Sequence, residues 1–85
     1  MWVAFSASVG FVTLAQRLAE TLRRLREEAR LSQVQMAKRL GVSRSTLNRL
    51  EAADQNTTLR TLDRLCRALK REPGDLFERS RQRRI

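Results

Sequence analysis

Between Arg44 and Arg49 the chain places two guanidinium forks, a hydroxyl and a carboxamide, carried by Arg44, Ser45, Asn48 and Arg49. This set suits the edges of nucleic-acid bases. A guanidinium can donate two parallel bonds to guanine O6 and N7, a carboxamide can address adenine N6 and N7, and a hydroxyl suits either base. A second group of donors, Gln33, Asn56, Thr57, Thr58 and Arg60, suits phosphate oxygens instead. Contacts of that kind fix the register of a protein on a duplex and carry little sequence information.

The elements that would position these side chains are written around them. Leu31 to Glu51 (LSQVQMAKRLGVSRSTLNRLE) reads as a helix, a tight turn and a second helix. Ser32 and Gln35 form an S-x-x-Q capping box, and Leu31 and Met36 are placed to staple the start of the same helix. Met36, Ala37 and Leu40 supply its apolar face. Gly41 then provides the left-handed backbone that a β-carbon penalises, and Val42 fills the corner. Two helices crossing at ~100° over so short a turn need a small residue at the crossing, where Ala37 falls. Ser43 caps the next helix, with Leu47 and Leu50 facing inward. Advancing about 100° per residue from those leucines turns Ser45, Asn48, Arg49 and Ala52 outward, with Arg44 on the flank and Thr46 beside the core. In the helix-turn-helix mode the early residues of this second helix enter the major groove. Gln33 opens the first helix, where free amides and the positive end of the dipole favour an anion. The start of the helix after Asn56 offers the same chemistry.

Composition agrees with a polyanionic partner. The 85 residues carry 18 Lys+Arg against 9 Asp+Glu, a net charge of +9. Sixteen of those cations are arginine, so forked contacts dominate the positive surface. There is no histidine and one cysteine. That argues against an internal disulfide, a protein-only metal site and Ser–His or Cys–His catalysis, so neither an enzyme nor a cofactor is expected. Cys66 falls on the apolar side of a helix and reads as a buried thiol. Met1 to Val12 is too short to cross a bilayer and lacks the basic start of a secretory signal. A cytoplasmic setting without membrane association is the expectation.

The spacing predicts an all-α domain of five helices over residues 13–78, preceded by an apolar extension (1–12) and followed by a basic tail (79–85). The first helix runs from about Thr13, with Gln16 completing a second capping box, to about Arg30. Its apolar stripe is Leu14, Leu18, Leu22, Leu25 and Ala29. The fourth starts near Thr57 or Thr58 and turns Leu59, Leu62, Leu65, Cys66 and Leu69 inward. Pro73 opens a short fifth helix that tucks Leu76 and Phe77 under the bundle. In the extension every odd position is apolar, a period-two pattern suited to a strand with one apolar face. A lone strand needs a partner, most simply its own copy in a dimer, which makes Trp2, Val3, Phe5, Val9 and Phe11 candidate dimer or partner contacts. An apolar leader packed on the bundle, or disorder, are the alternatives. Arg79 to Arg84 reads either as a solvated charge run or as a phosphate contact.

From Thr13 to Phe77, through LSQVQMAKRLGVSRSTLNRLE and TTLRTLDRLCRALKREPGDLF, the chain resembles the XRE/Cro/cI family of helix-turn-helix regulators. The resemblance implies a five-helix, lambda-repressor-like DNA-binding domain that binds palindromic operators in double-stranded DNA as a homodimer. By position it places base reading on Arg44, Ser45 and Arg49, and a phosphate-clamping glutamine on Gln33. It also puts backbone contacts around Thr57 and Thr58, and a structural glutamate at Glu51. Two departures stand out. Ala52-Ala53-Asp54-Gln55-Asn56 replaces the usual small Asn-Gly turn, and Val34 stands where a polar residue is usual. Two functions follow from this reading: a sequence-specific transcriptional repressor or activator without a small-molecule domain, or an XRE-type antitoxin that binds a toxin protein and represses its own operon. The string from Asp54 to Leu59 is similar to loops in such antitoxins, and the apolar extension is a surface a toxin could cover.

Overall fold

The computed structural model describes residues 12–54 and 56–78. Among these the chain forms five helices and no strand: α1 (Leu14–Glu28), α2 (Gln33–Leu40), α3 (Arg44–Glu51), α4 (Leu59–Leu69) and α5 (Pro73–Leu76). The expected all-α, five-helix architecture is the observed one. The extension and the basic tail, with the strand expected at Trp2, Val3, Phe5, Val9 and Phe11, lie outside the described residues.

The helices start where side chains can satisfy their first amides. Thr13 and Gln16 bond reciprocally before α1, as do Ser32 and Gln35 before α2, at 2.8–3.1 Å. Ser43 accepts the Thr46 N–H at 3.0 Å before α3, and Thr58 accepts the Thr61 N–H at 3.2 Å before α4. Each such cap contributes about 1 kcal/mol. Pro73 is the first residue of α5, where its missing N–H costs nothing.

The first four helices end in one way, which the sequence showed at a single place. After each, one residue takes the left-handed conformation: Arg30 (φ 58°), Gly41 (φ 74°), Ala53 (φ 64°) and Lys70 (φ 55°). The following N–H then reaches back five residues to a carbonyl: Leu31 to Arg26, Val42 to Ala37, Asp54 to Arg49 and Arg71 to Cys66, at 3.0–3.1 Å. These bonds satisfy carbonyls that a helix end leaves free. Only Gly41 adopts this conformation without a β-carbon penalty. α1 accordingly stops at Glu28, short of the Arg30 expected from periodicity.

The core is built from Leu18, Leu22, Met36, Ala37, Leu40, Leu47, Leu50, Leu65 and Leu76, with Leu31, Val42, Cys66 and Phe77 packed against it. α1 packs on α3 and α5, α2 on α3 and α4, and α4 on α5. α3 is therefore held from behind by both α1 and α2. Burying a leucine contributes about 1.5–3 kcal/mol, so Leu47 and Leu50 fix the rotation of α3 about its own axis. Three residues expected inward do not reach the core. Leu14 and Leu59 are 72% and 79% exposed, each at the first position of its helix, and Ala29 is exposed at the end of α1. The apolar stripes of α1 and α4 outrun the bundle that covers them.

Candidate nucleic-acid interface

α3 turns a polar face to solvent. Leu47, Leu50 and Glu51 are buried, whereas Arg44, Ser45, Asn48 and Arg49 are all exposed. Thr46 is half-buried, and its hydroxyl accepts a bond from Ser43 Oγ at 2.9 Å, which braces the first turn. The four candidate base readers thus share a side of one short helix, and among the described residues no side-chain hydrogen bond or ion pair engages them.

Arg49 also lines a polar notch of about 140 Å³ with Thr46, Asn56, Thr57 and Thr58. The fold thereby gathers three of the five candidate phosphate residues beside a base-reading candidate. Their roles in the loop differ. Thr58 caps α4, its hydroxyl also donating to Thr61 Oγ1 at 3.1 Å, while the Asn56 N–H donates to Asp54 Oδ1 at 2.9 Å. Thr57 is half-buried, and no hydrogen bond engages its hydroxyl among the described residues. Arg60 is exposed and borders a different groove, with Gly41, Asp63, Arg64 and Arg67. There Arg64 Nη1 donates to the Gly41 carbonyl at 3.1 Å, tying α4 to the turn before α3.

Gln33 sits at the start of α2, and its amide is engaged: Nε2 donates to Glu51 Oε1 at 3.0 Å. Glu51 is 5% exposed and is the hub of this end of the molecule. Arg26 Nε and Nη2 donate to its two carboxylate oxygens at 2.8 and 3.2 Å, and Arg23 donates to its backbone carbonyl. Bonding to Glu51 raises the Arg26 pKa further, so the guanidinium stays charged. A buried carboxylate needs this matched set of donors. The arginine partners on α1 were missed by periodicity, which registers apolar residues only. Their signal was a pair of arginines three positions apart beside the Leu22 and Leu25 stripe. Val34, the unusual apolar residue of α2, is 47% exposed beside Gln33.

Among the described residues no cluster of His, Cys, Asp or Glu could hold a metal ion. No described helix is long and apolar enough to cross a membrane.

Residues 17–79 match the helix-turn-helix domain family. Antitoxin HigA1 from two strains of Mycobacterium tuberculosis is 44% identical to this chain over 55 residues, which are 65% of this chain and 37% of the antitoxin. A crystal structure of an HTH_3 family transcriptional regulator from Vibrio cholerae superimposes with a TM-score of 0.65 at 26% identity, over 75% of this chain and 36% of the other. The chain thus spans little more than a third of the length of these relatives. A capped helix pair around Gly41, a braced α3 and a family match spanning most of the sequence lead to one conclusion: this chain belongs to the helix-turn-helix domain family of DNA-binding regulators.

Proposed function

We propose that this chain is a sequence-specific transcriptional repressor that lays α3 in the major groove of double-stranded DNA. Arg44, Ser45, Asn48 and Arg49 read base edges. Gln33, Asn56, Thr57, Thr58 and Arg60 hold the flanking phosphates. The observation that carries this reading is the exposure of all four base-reading candidates on a helix whose other side is locked by Leu47, Leu50 and Glu51. Pre-organisation of that kind lets a bidentate contact discriminate between bases by about 1–3 kcal/mol. Gln33, although bonded to Glu51, keeps its carboxamide oxygen and one N–H for other partners. The N–H groups of Gln33 and Val34 precede the first intrahelical bond of α2, from Met36 N–H to Ser32 O, and point the same way as the helix dipole. The net charge of +9 supplies the sequence-independent part of the affinity.

In this reading the chain works in the cytoplasm as a homodimer on a palindromic operator, as the XRE/Cro/cI resemblance implies. Selection of bound fragments from a random duplex pool, followed by sequencing, tests it. A paired motif with fixed half-site spacing is the expected result, and absence of any preferred site overturns it.

A second reading is favoured by the similarity to the antitoxin HigA1. The same domain would then bind a toxin protein and repress its own operon. Copurification of a second polypeptide, lost on deleting residues 1–12, supports that reading. A preferred operator with no such companion leaves the repressor reading alone.

A further inference from the structure

One surface feature is left almost unused by base and phosphate contacts, sharing Thr57 alone with them. Leu14 and Leu59, 72% and 79% exposed, both border a groove of about 430 Å³ that Leu18, Leu62 and Phe77 also line. Such an apolar cleft in a chain this rich in arginine calls for an apolar occupant.

We propose that the chain's own residues 1–11 fill this groove within the same molecule. The groove begins where that segment ends. Thr13 is itself a lining residue, and Val12 separates it from the segment. The Thr13 backbone is extended (φ −78°, ψ 165°), as at the other capped helix starts, so the chain leaves the line of α1 at the groove margin. From Trp2 to Val12 there is no charged side chain, so the segment brings no ionic side chain to desolvate on docking, and Asp54 is the one charged residue of the groove lining. Eleven extended residues reach about 36 Å, ample to run along the groove and present Phe11, Val9 and Phe5 to it. Tethering without a linker gives this segment a high effective concentration, which a second copy does not share.

Trp2 is the only tryptophan and, at an even position, faces away from the groove in this register, so the double variant Trp2→Phe/Phe5→Trp moves the single reporter to the groove side. The experiment compares the emission and acrylamide quenching of that tryptophan in the full 85-residue chain carrying the double variant (the parent here), in its Leu14→Asp and Leu59→Asp derivatives, and in a free peptide of residues 1–12 with the same double variant. Leu14 and Leu59 each fall at the first position of a helix, where a carboxylate is favoured by the dipole, so the helical content measured by circular dichroism is expected to stay. The expected result is blue-shifted, shielded emission in the parent, independent of protein concentration. In either variant the quenching constant should rise severalfold toward the peptide value. Three results overturn the proposal: peptide-like emission in the parent, shielding unchanged in both folded variants, or shielding that fades on dilution, which would place the segment on a second copy.

Discussion

Arg26 grips Glu51 with two nitrogens, Nε 2.8 Å from Oε2 and Nη2 3.2 Å from Oε1, and thereby ties the last residue of α3 to α1. The same guanidinium donates from Nη1 to the Leu31 carbonyl at 3.2 Å, next to the start of α2. With Gln33 on the other side of the carboxylate, three helices meet at one buried charge. This hub fixes the C-terminal end of α3, as Ser43 and Thr46 fix its N-terminal end.

Removing one partner should cost far more than removing both. Arg26→Ala leaves the Glu51 carboxylate buried with too few donors and should lower the unfolding free energy by about 3–5 kcal/mol. The double variant Arg26→Met/Glu51→Leu, with apolar groups of similar volume, should lose less than Arg26→Ala alone. Urea titrations of the two variants check the order. The raised Arg26 pKa adds a sign: its contribution is present at every pH below the ordinary guanidinium value and is lost only above it. The difference between parent and Arg26→Ala should therefore stay constant through neutral and mildly alkaline pH.

Ala53 occupies a backbone conformation suited to glycine. Ala53→Gly should raise stability by about 1 kcal/mol, seen as a higher urea midpoint at unchanged slope. Gly41→Ala is the mirror test. The nearest neighbour to an added β-carbon there is Arg64 Cδ at 3.9 Å, so no clash arises. Its loss of about 1 kcal/mol would be conformational alone.

The base and phosphate assignments separate by the kind of loss. Arg44→Ala and Arg49→Ala should each relax preference at one base pair per half-site, by about 1–3 kcal/mol, with the thermal midpoint unchanged because both side chains are exposed. Gln33→Ala should weaken binding to all sequences about evenly. It should also cost roughly 1 kcal/mol of stability through the lost bond to Glu51. Competition titrations with operator and scrambled duplexes distinguish the two patterns.

Cys66 should make the fold sensitive to alkali. Burial pushes its thiol up from the ordinary 9.0, and the charges of Asp63, Glu72 and Asp75 add to the effect. A raised folded-state pKa means that stability is intact below 9.0 and falls as pH rises through the folded value. The urea midpoint of the parent should hold up to about pH 9 and fall as pH rises beyond it, and Cys66→Ala should flatten that fall.

Local chemistry was legible in the sequence because it acts over three or four residues. The capping pairs Thr13/Gln16 and Ser32/Gln35, the Ser43 cap, the turn at Gly41 and Pro73 as a first helical residue all depend on near neighbours. The inward rotation of Leu47 and Leu50, and with it the outward set Arg44, Ser45, Asn48 and Arg49, follows from helical period alone. Tertiary structure decided what depends on distance in space. Glu51 meets Arg26 and Arg23 across 25 and 28 positions, and no periodicity links them. Gln33 is drawn to that same carboxylate, although its place at a helix start speaks only of anions. Leu14 and Leu59 continue good apolar stripes yet no helix of the bundle covers them, because burial against the bundle is set by where a neighbouring helix stops. The left-handed ends at Arg30, Ala53 and Lys70 have the same origin: packing fixes where the chain must turn, and the residue present accepts the strain.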